Sequence, residues 1–279
     1  MARDSSDSSG SGDPAQTIAL LWGTRQLPRR GPRHGLTSDQ IVAAGIAIAD
    51  ADRDLATLSM RRVAESLGVG TMSLYTYVSS RAELVEAMLD RAYGEAVTEL
   101  ASAETEDWQA GLRRIAAVNW AMYLRHPWML QVFTGRPPLG PNAIAKYDLE
   151  LRVVDGIGLG DVEMDAVITL VHTHVGGVAR RKIEAARVEA QTGITDQQWW
   201  ETAGPALAEV YPAGRYPVAD RVGQAAGEAH QAAHNPEHEY AFGLDRLIAG
   251  VAALTNEAGE PDRTDTRTPR AEPGPAHRP

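Results

Sequence analysis

The sequence predicts an all-α chain. Three observations carry that reading. Apolar residues recur at helical spacing through most of the chain, from Ile41 to Val251. A hydroxyl residue followed three positions later by Gln or Glu, the signature of a helix start, stands at Thr37/Gln40 and at Ser80/Glu83. Strand-like alternation is nearly absent, and no internal repeat is visible.

Composition sets the frame. With 279 residues and 43% hydrophobic content the chain can build a sizeable core in one large or two ordinary domains. No apolar run reaches the roughly 18 residues of a membrane span. The polar, Ser/Gly/Asp-rich N-terminus predicts no signal peptide. The absence of cysteine excludes disulfides and cysteine metal sites and fits a reducing cytoplasm. The net charge of −10 argues against nucleic acid as a partner, but its distribution argues for it. Between Thr24 and Ala82 stand eight basic and five acidic residues, so that segment carries +3 and the remainder −13. A small anion-binding module on an acidic body has this asymmetry.

Taken in order, residues 1 to about 16 are low-complexity and predicted disordered. Ile18–Trp22 is a short apolar stretch, one helical turn resting on the body. Arg25–Arg33 is basic and interrupted by Pro28 and Pro32, so it should be extended. Arg29, Arg30 and Arg33 form either an arm along DNA or a solvated linker. Thr37 caps a helix with Ile41, Val42, Gly45, Ile46, Ile48 and Ala49 on its apolar side, ended by Asp50–Asp54. Leu55 and Leu58 lead to a second cap at Ser59.

The stretch Ser59–Arg81 reads as a helix-turn-helix. Val63, Ala64 and Leu67 face inward on a short helix. Gly68 ends it, since glycine enters a left-handed C-cap without steric cost. Val69 plugs the corner, and Leu74 and Val78 anchor a second short helix. The opposite face of that helix shows Thr71, Met72, Ser73, Tyr75, Thr76 and Tyr77. Arg61, Arg62 and Arg81 flank it. Hydroxyls and apolar atoms suit base edges, and guanidinium groups suit phosphates. Tyr75 has a core alternative, but Leu74 already takes the inward position; Met72, at the helix start, is either a base contact or a cap.

A capping box at Ser80/Glu83 starts the next helix, predicted to run to about Gly94. Helices follow over Trp108–Arg125, Asn142–Ile157, Asp161–Glu189 and His238–Leu254, with a short apolar turn over Trp128–Phe133 and a loop over Gly135–Pro141. The first half of Asp161–Glu189 is apolar on two faces, as expected of a helix buried in a body and against a partner. Residues 191–224 are predicted irregular and the Pro-rich tail after Gly259 disordered. The predicted organisation is a tail and basic arm over 1–36, a helix-turn-helix unit over 37–93, a larger helical body over 94–258 and a disordered tail over 259–279.

Metal chemistry finds little support. His172 and His174 diverge by about 200° around a helix and do not share an ion. His230 and His234 have ligand spacing, yet they lack a Glu-x-x-type partner and stand in Ala/Gly/Gln-rich sequence. The tryptophans, Trp120 and Trp128 among them, are either plain core or the wall of a ligand cavity.

Residues 37–93 resemble the N-terminal domain of the tetracycline-repressor family of transcriptional regulators. The matching segments are Ile41-Val-Ala-Ala-Gly-Ile-Ala-Ile-Ala-Asp50, Leu58-Ser-Met-Arg-Arg-Val-Ala-Glu-Ser-Leu-Gly-Val-Gly70 and Ser73-Leu-Tyr-Thr-Tyr-Val78, followed by Arg81 and Leu84. His126-Pro-Trp and the paired-glycine helix are similar to the branch of the tetracycline repressor itself. The resemblance implies a homodimeric repressor, joined through helices 161–189 and 238–255 and bound to a palindromic double-stranded DNA operator. It implies release by an unidentified small-molecule effector, with no cofactor, metal or membrane required. Arg61, Thr71, Met72, Ser73, Tyr75, Thr76, Tyr77 and Arg81 would be the DNA contacts, Tyr75 and Arg81 to phosphates. No Gln, Asn or Arg on that face names a base by a bidentate bond. Trp120, Tyr123, Trp128 and His172 would line the effector pocket. Two other readings remain at this stage: a small all-α enzyme, and a protein–protein scaffold that has lost DNA binding. No catalytic constellation supports the first.

Overall fold

The computed structural model describes residues 13–25, 36–102, 107–132, 135–212, 214–230, 232 and 234–258. They form eleven α-helices, with no strand among the described residues. Arg29, Arg30, Arg33 and Phe133 lie outside them, as does the tail after residue 258.

The N-terminal helix α1 (Pro14–Leu21) takes in the helical turn expected over Ile18–Trp22 and begins inside the stretch expected to be disordered. Asp13 caps it by accepting from Ala15 N at 3.0 Å, and Pro14 presets its first turn. It packs on α5, and the Trp22 indole donates to Leu139 O at 2.9 Å. A helix of eight residues is marginal alone, so that packing is what makes it.

Next, α2 (Ser38–Asp52) opens with the predicted capping box, both bonds made between Thr37 and Gln40. Gly45 lies where α2 crosses α5: a Cβ there would come within 2.8 Å of Met88 Sδ. A 3₁₀ turn (Leu55–Thr57) leads to α3 (Met60–Ser66), capped by Ser59, then α4 (Thr71–Leu74) and α5 (Arg81–Ala101). The predicted end of α5 at Gly94 is overrun. Gly94 serves a close approach instead, since a Cβ there would meet Asn142 at 3.1 Å. Ala92 and Ala96 are buried on either side of it.

In the body, α6 (Trp108–Arg125) matches its predicted span and a 3₁₀ turn (Pro127–Gln131) follows. Helix α7 (Pro141–Arg152) stops earlier than predicted, before the left-handed Gly156 and Gly158. Its N-terminus is capped from another helix. Asp90 of α5 accepts from Ala143 N at 2.9 Å and from Asn142 Nδ2 at 3.0 Å. The longest helix is α8 (Asp161–Thr192), which packs against α6 and against α11 (Pro236–Ala258). Between them lie α9 (Asp196–Val210) and α10 (Pro217–His230), where irregular chain was predicted. A capping box at Thr195/Gln198 starts α9, and Pro205 sits inside it. The Gly and Pro content masked both helices. Neither contributes a buried residue.

Two cores result. One joins α2–α5 to the end of α6 and the following turn, through Val118, Met122, Trp128 and Met129. The other joins α6, α8 and α11, through Leu112, Ile115, Ile168, Val175, Leu244 and Ile248. Each fully buried Leu or Ile contributes about 1.5–3 kcal/mol. Tyr123 packs against both cores.

Candidate DNA interface and buried polar centre

The helix-turn-helix is built from its sequence signals. Ser59 Oγ accepts from Arg62 N at 3.2 Å and starts α3. Gly68 takes the left-handed conformation at φ +67°, and Val69 N then donates to Ala64 O at 3.0 Å. Ala64 is 1% exposed at this corner, and Leu74 and Val78 are fully buried. The predicted recognition face is therefore held from behind. On it Met72 is 78% exposed, Tyr75 and Thr76 are exposed, and Thr71 and Ser73 are half-buried. Tyr77 leans partly on the head core.

The arginines divide. Arg61 projects into solvent beside Glu65, an exposed pair 2.7 Å apart that adds little stability and leaves the guanidinium available. Arg62 is engaged by Asp52 at 2.5 Å and by Thr57 O at 3.1 Å. Arg81 turns inward. Its Nε donates to Leu58 O at 2.9 Å and its Nη2 to Leu55 O at 2.7 Å, bracing the segment that leads into α3.

Arg25, read in the sequence as the start of the basic arm, ties the residues after α1 to those after α4. Its Nη1 donates to Tyr77 O at 2.9 Å and to both oxygens of buried Glu83 at 3.0 Å. Glu83 also accepts from Ser79 Oγ at 2.8 Å and from Ser79 N. The predicted box at Ser80/Glu83 is thus half made. Ser80 Oγ caps Glu83 N at 3.1 Å, while the Glu83 carboxylate is drawn to Arg25 and Ser79.

Head and body are hydrogen-bonded at the end of α2. Asp50 Oδ1 accepts from Trp128 Nε1 at 2.7 Å and lies 2.8 Å from His126 Nδ1. His126 Nε2 faces Glu95 at 3.3 Å. Gln131 accepts from Leu55 N at 2.8 Å, and Arg187 of α8 reaches Asp54 at 3.0 Å. Trp128, read from sequence as a pocket wall, is fully buried in this joint.

Of the other predicted pocket residues, His172 and Tyr123 meet at a buried polar cluster, and Trp120 packs elsewhere. His172 Nε2 of α8 lies 3.0 Å from Glu150 Oε1 and 3.2 Å from Lys146 Nζ, both on α7. Lys146 donates to Glu150 Oε1 at 2.6 Å, and Asn119 Nδ2 of α6 does so at 3.0 Å. Burial works to raise the Glu150 pKa, but the His172 bond and the Lys146 charge outweigh it and hold it at about 2. Burial lowers the Lys146 pKa against the pull of Glu150. The Tyr93 phenol is pushed up to about 12 by burial, with Glu150 and Asp90 adding to it. Tyr123 is raised too, first by burial and then by Tyr93 and Glu150. Trp120 packs on Tyr240 with ring centroids 4.8 Å apart.

Sequence reasoning missed Tyr93, Asn119, Lys146 and Glu150. Asn119, a polar residue within the apolar side of α6, was the one available signal. His174 faces away from His172 and meets Tyr240 O at 2.9 Å. Among the described residues no group of three His, Cys, Asp or Glu could hold a metal ion, and no helix is long and apolar enough to cross a membrane.

Comparison with known proteins places this geometry. Residues 101–255 match the family model described as tetracyclin repressor-like, C-terminal domain. The chain is 40% identical over 251 residues to the HTH-type transcriptional repressor DrrR1 of Streptomyces coeruleorubidus, covering 90% of each chain. It is 30% identical over 182 residues to an HTH-type transcriptional regulator of Saccharopolyspora erythraea, covering 64% of this chain and 76% of that one. Among solved structures, ActR of Streptomyces coelicolor in complex with actinorhodin aligns with a TM-score of 0.62 at 26% identity, over 82% of this chain and 100% of that one. Apo ActR aligns at 0.61 and 26%, over 81% of this chain and 99% of that one.

Proposed function

Since the chain belongs to the tetracycline-repressor family of helix-turn-helix transcriptional regulators, we propose that it works as a homodimeric repressor released from a palindromic operator by a small-molecule effector. The observation that carries the DNA-binding part is the face of α4. Met72, Tyr75 and Thr76 are exposed above Leu74 and Val78, which are fully buried. Rigid backing with a solvated face is what docking into a major groove needs. We assign direct contacts to Arg61, Thr71, Met72, Ser73, Tyr75 and Thr76. Tyr77 and Arg81, each engaged with the protein, hold that face in position.

Helices α8 and α11 supply the dimer surface. They pack together and leave Val162, Leu170, Phe242 and Leu254 exposed. Tyr123 and His172 border the effector site around Lys146 and Glu150. ActR, a structural neighbour, is described in complex with actinorhodin, which supports an interior ligand site in this architecture. Release requires that the effector bind one head spacing more tightly than another. The relatives are regulators and not enzymes, which sets the enzyme reading aside. Acting on DNA, it would work in the cytoplasm.

The test is a mobility-shift titration on an operator selected from a genomic fragment pool. Tyr75→Ala and Met72→Ala should weaken binding while leaving the dimer and the thermal transition intact. Unchanged affinity in both variants overturns the assignment of this face.

A further inference from the structure

The buried polar centre holds two acceptors that no donor reaches. Glu150 Oε2 and Asn119 Oδ1 lack a hydrogen-bond partner, although Glu150 is 1% and Asn119 0% exposed. A buried acceptor left in this state carries the full cost of its lost hydration. The neighbouring donors point elsewhere. Asn119 Nδ2 donates to Ile115 O at 2.8 Å and to Glu150 Oε1 at 3.0 Å. Lys146 Nζ donates to Glu150 Oε1 at 2.6 Å and lies 3.2 Å from His172 Nε2, and it reaches neither orphan acceptor. His172 Nε2 lies 3.0 Å from both Glu150 oxygens, but only the approach to Oε1 has hydrogen-bond geometry.

The unmet demand is for donors, two of them, and close together, because the side chains that want them are bonded to each other. Charge narrows the class. Lys146 and Glu150 already balance one another. A cation would arrive beside Lys146 and a carboxylate beside Glu150, so each would meet a like charge while paying for its own desolvation. Neutral donors meet the demand. The surroundings narrow it again. Tyr93 and Tyr123 are half-buried beside the cluster, the Tyr93 ring centre 5.6 Å from Lys146 Nζ, so aromatic surface borders the polar groups. His172, with 32% of its side chain exposed, is the open side of the cluster.

We infer that the effector is a neutral aromatic molecule with two neighbouring hydroxyl groups, which donate to Glu150 Oε2 and Asn119 Oδ1. This rests on the reading of the body as an effector-binding domain.

The test uses the full chain and three matched probes followed by calorimetry: a naphthalenediol with vicinal hydroxyls, its dimethyl ether, and naphthoate. The diol should bind on the order of tenfold tighter than the ether, the worth of one or two neutral hydrogen bonds. Naphthoate should bind more weakly than either. Asn119→Leu and Glu150→Gln should erase the preference for the diol over the ether, with thermal unfolding confirming that each variant folds. Should one of them fail to fold, the selectivity of the native chain decides the matter alone. Equal binding of diol and ether, or tighter binding of naphthoate, overturns the donor assignment. If that equal binding is also lost in Tyr123→Ala, the effector site itself stands. Diol selectivity that survives both Asn119→Leu and Glu150→Gln overturns the assignment of these acceptors. No binding by any of the three overturns both readings.

Discussion

The guanidinium of Arg25 donates to the main-chain oxygen of Tyr77 at 2.9 Å, across 52 positions of sequence. The same nitrogen grips Glu83 at the start of α5. A residue preceding the helix-turn-helix therefore fixes the C-terminal end of its recognition segment.

Arg25 should act on DNA binding without touching DNA. Arg25→Ala is expected to weaken operator binding on the order of five- to tenfold, the loss of a charge-assisted anchor. The slope of log affinity against log salt should stay unchanged. Arg61→Ala, at an exposed guanidinium, should instead reduce that slope by about 1. Titrations at several salt concentrations separate the two.

Removing the Asp50 carboxylate should loosen the joint between head and body. Asp50→Ala leaves the fully buried Trp128 indole N–H without an acceptor and is expected to cost about 1–3 kcal/mol in denaturant unfolding. Adding Trp128→Phe removes the orphaned donor. The double variant should lose less than the two single losses combined, with a coupling of about 0.5–3 kcal/mol.

Gly140 admits no side chain. A Cβ there would lie 2.1 Å from Asp90 Oδ1, the oxygen that caps α7 through Ala143 N. Gly140→Ala should destabilise the fold by about 1–3 kcal/mol, as overpacking does, and lower the Tm. An unchanged Tm would mean that Asp90 moves aside freely.

Acid should act on the polar centre. The folded-state pKa of Glu150, about 2, lies below its ordinary value of 4.5. The stability this provides is complete above the ordinary value and is lost as the pH falls from about 4.5 to about 2. Lys146 pulls the other way, because its burial penalty exceeds the attraction of Glu150. The prediction therefore concerns the slope and not the total: Glu150→Gln should flatten the fall in stability across that window. Chemical denaturation at a series of pH values measures it.

Much of the head was legible because its signals are local. Thr37 with Gln40, Ser59 as a cap and Gly68 in the left-handed region each act within a few residues, and each formed as read. The interior was less legible because its partners come from different helices. Lys146 and Glu150 stand four apart, a spacing that reads as an ordinary surface ion pair, and only the packing of α5, α6 and α8 around α7 buries them. The inward turn of Arg81 was hidden for a similar reason, since its acceptors are carbonyls 23 and 26 residues away. Thr195 with Gln198 was readable, but the glycines and prolines around it drew attention from α9.

Helices α9 and α10 bury nothing of their own, yet they carry Trp199, Trp200, Leu207, Val218 and Val222 at the surface. Mutational tolerance should therefore divide sharply along the chain. A library scored for folding of the single chain would accept most substitutions in these two helices and few in α5 or α6. The same library scored for repression in cells would penalise those aromatic positions if the pair is retained for what it meets. The difference between the two profiles would isolate selection for function from selection for the fold, in a segment where the fold asks for almost nothing.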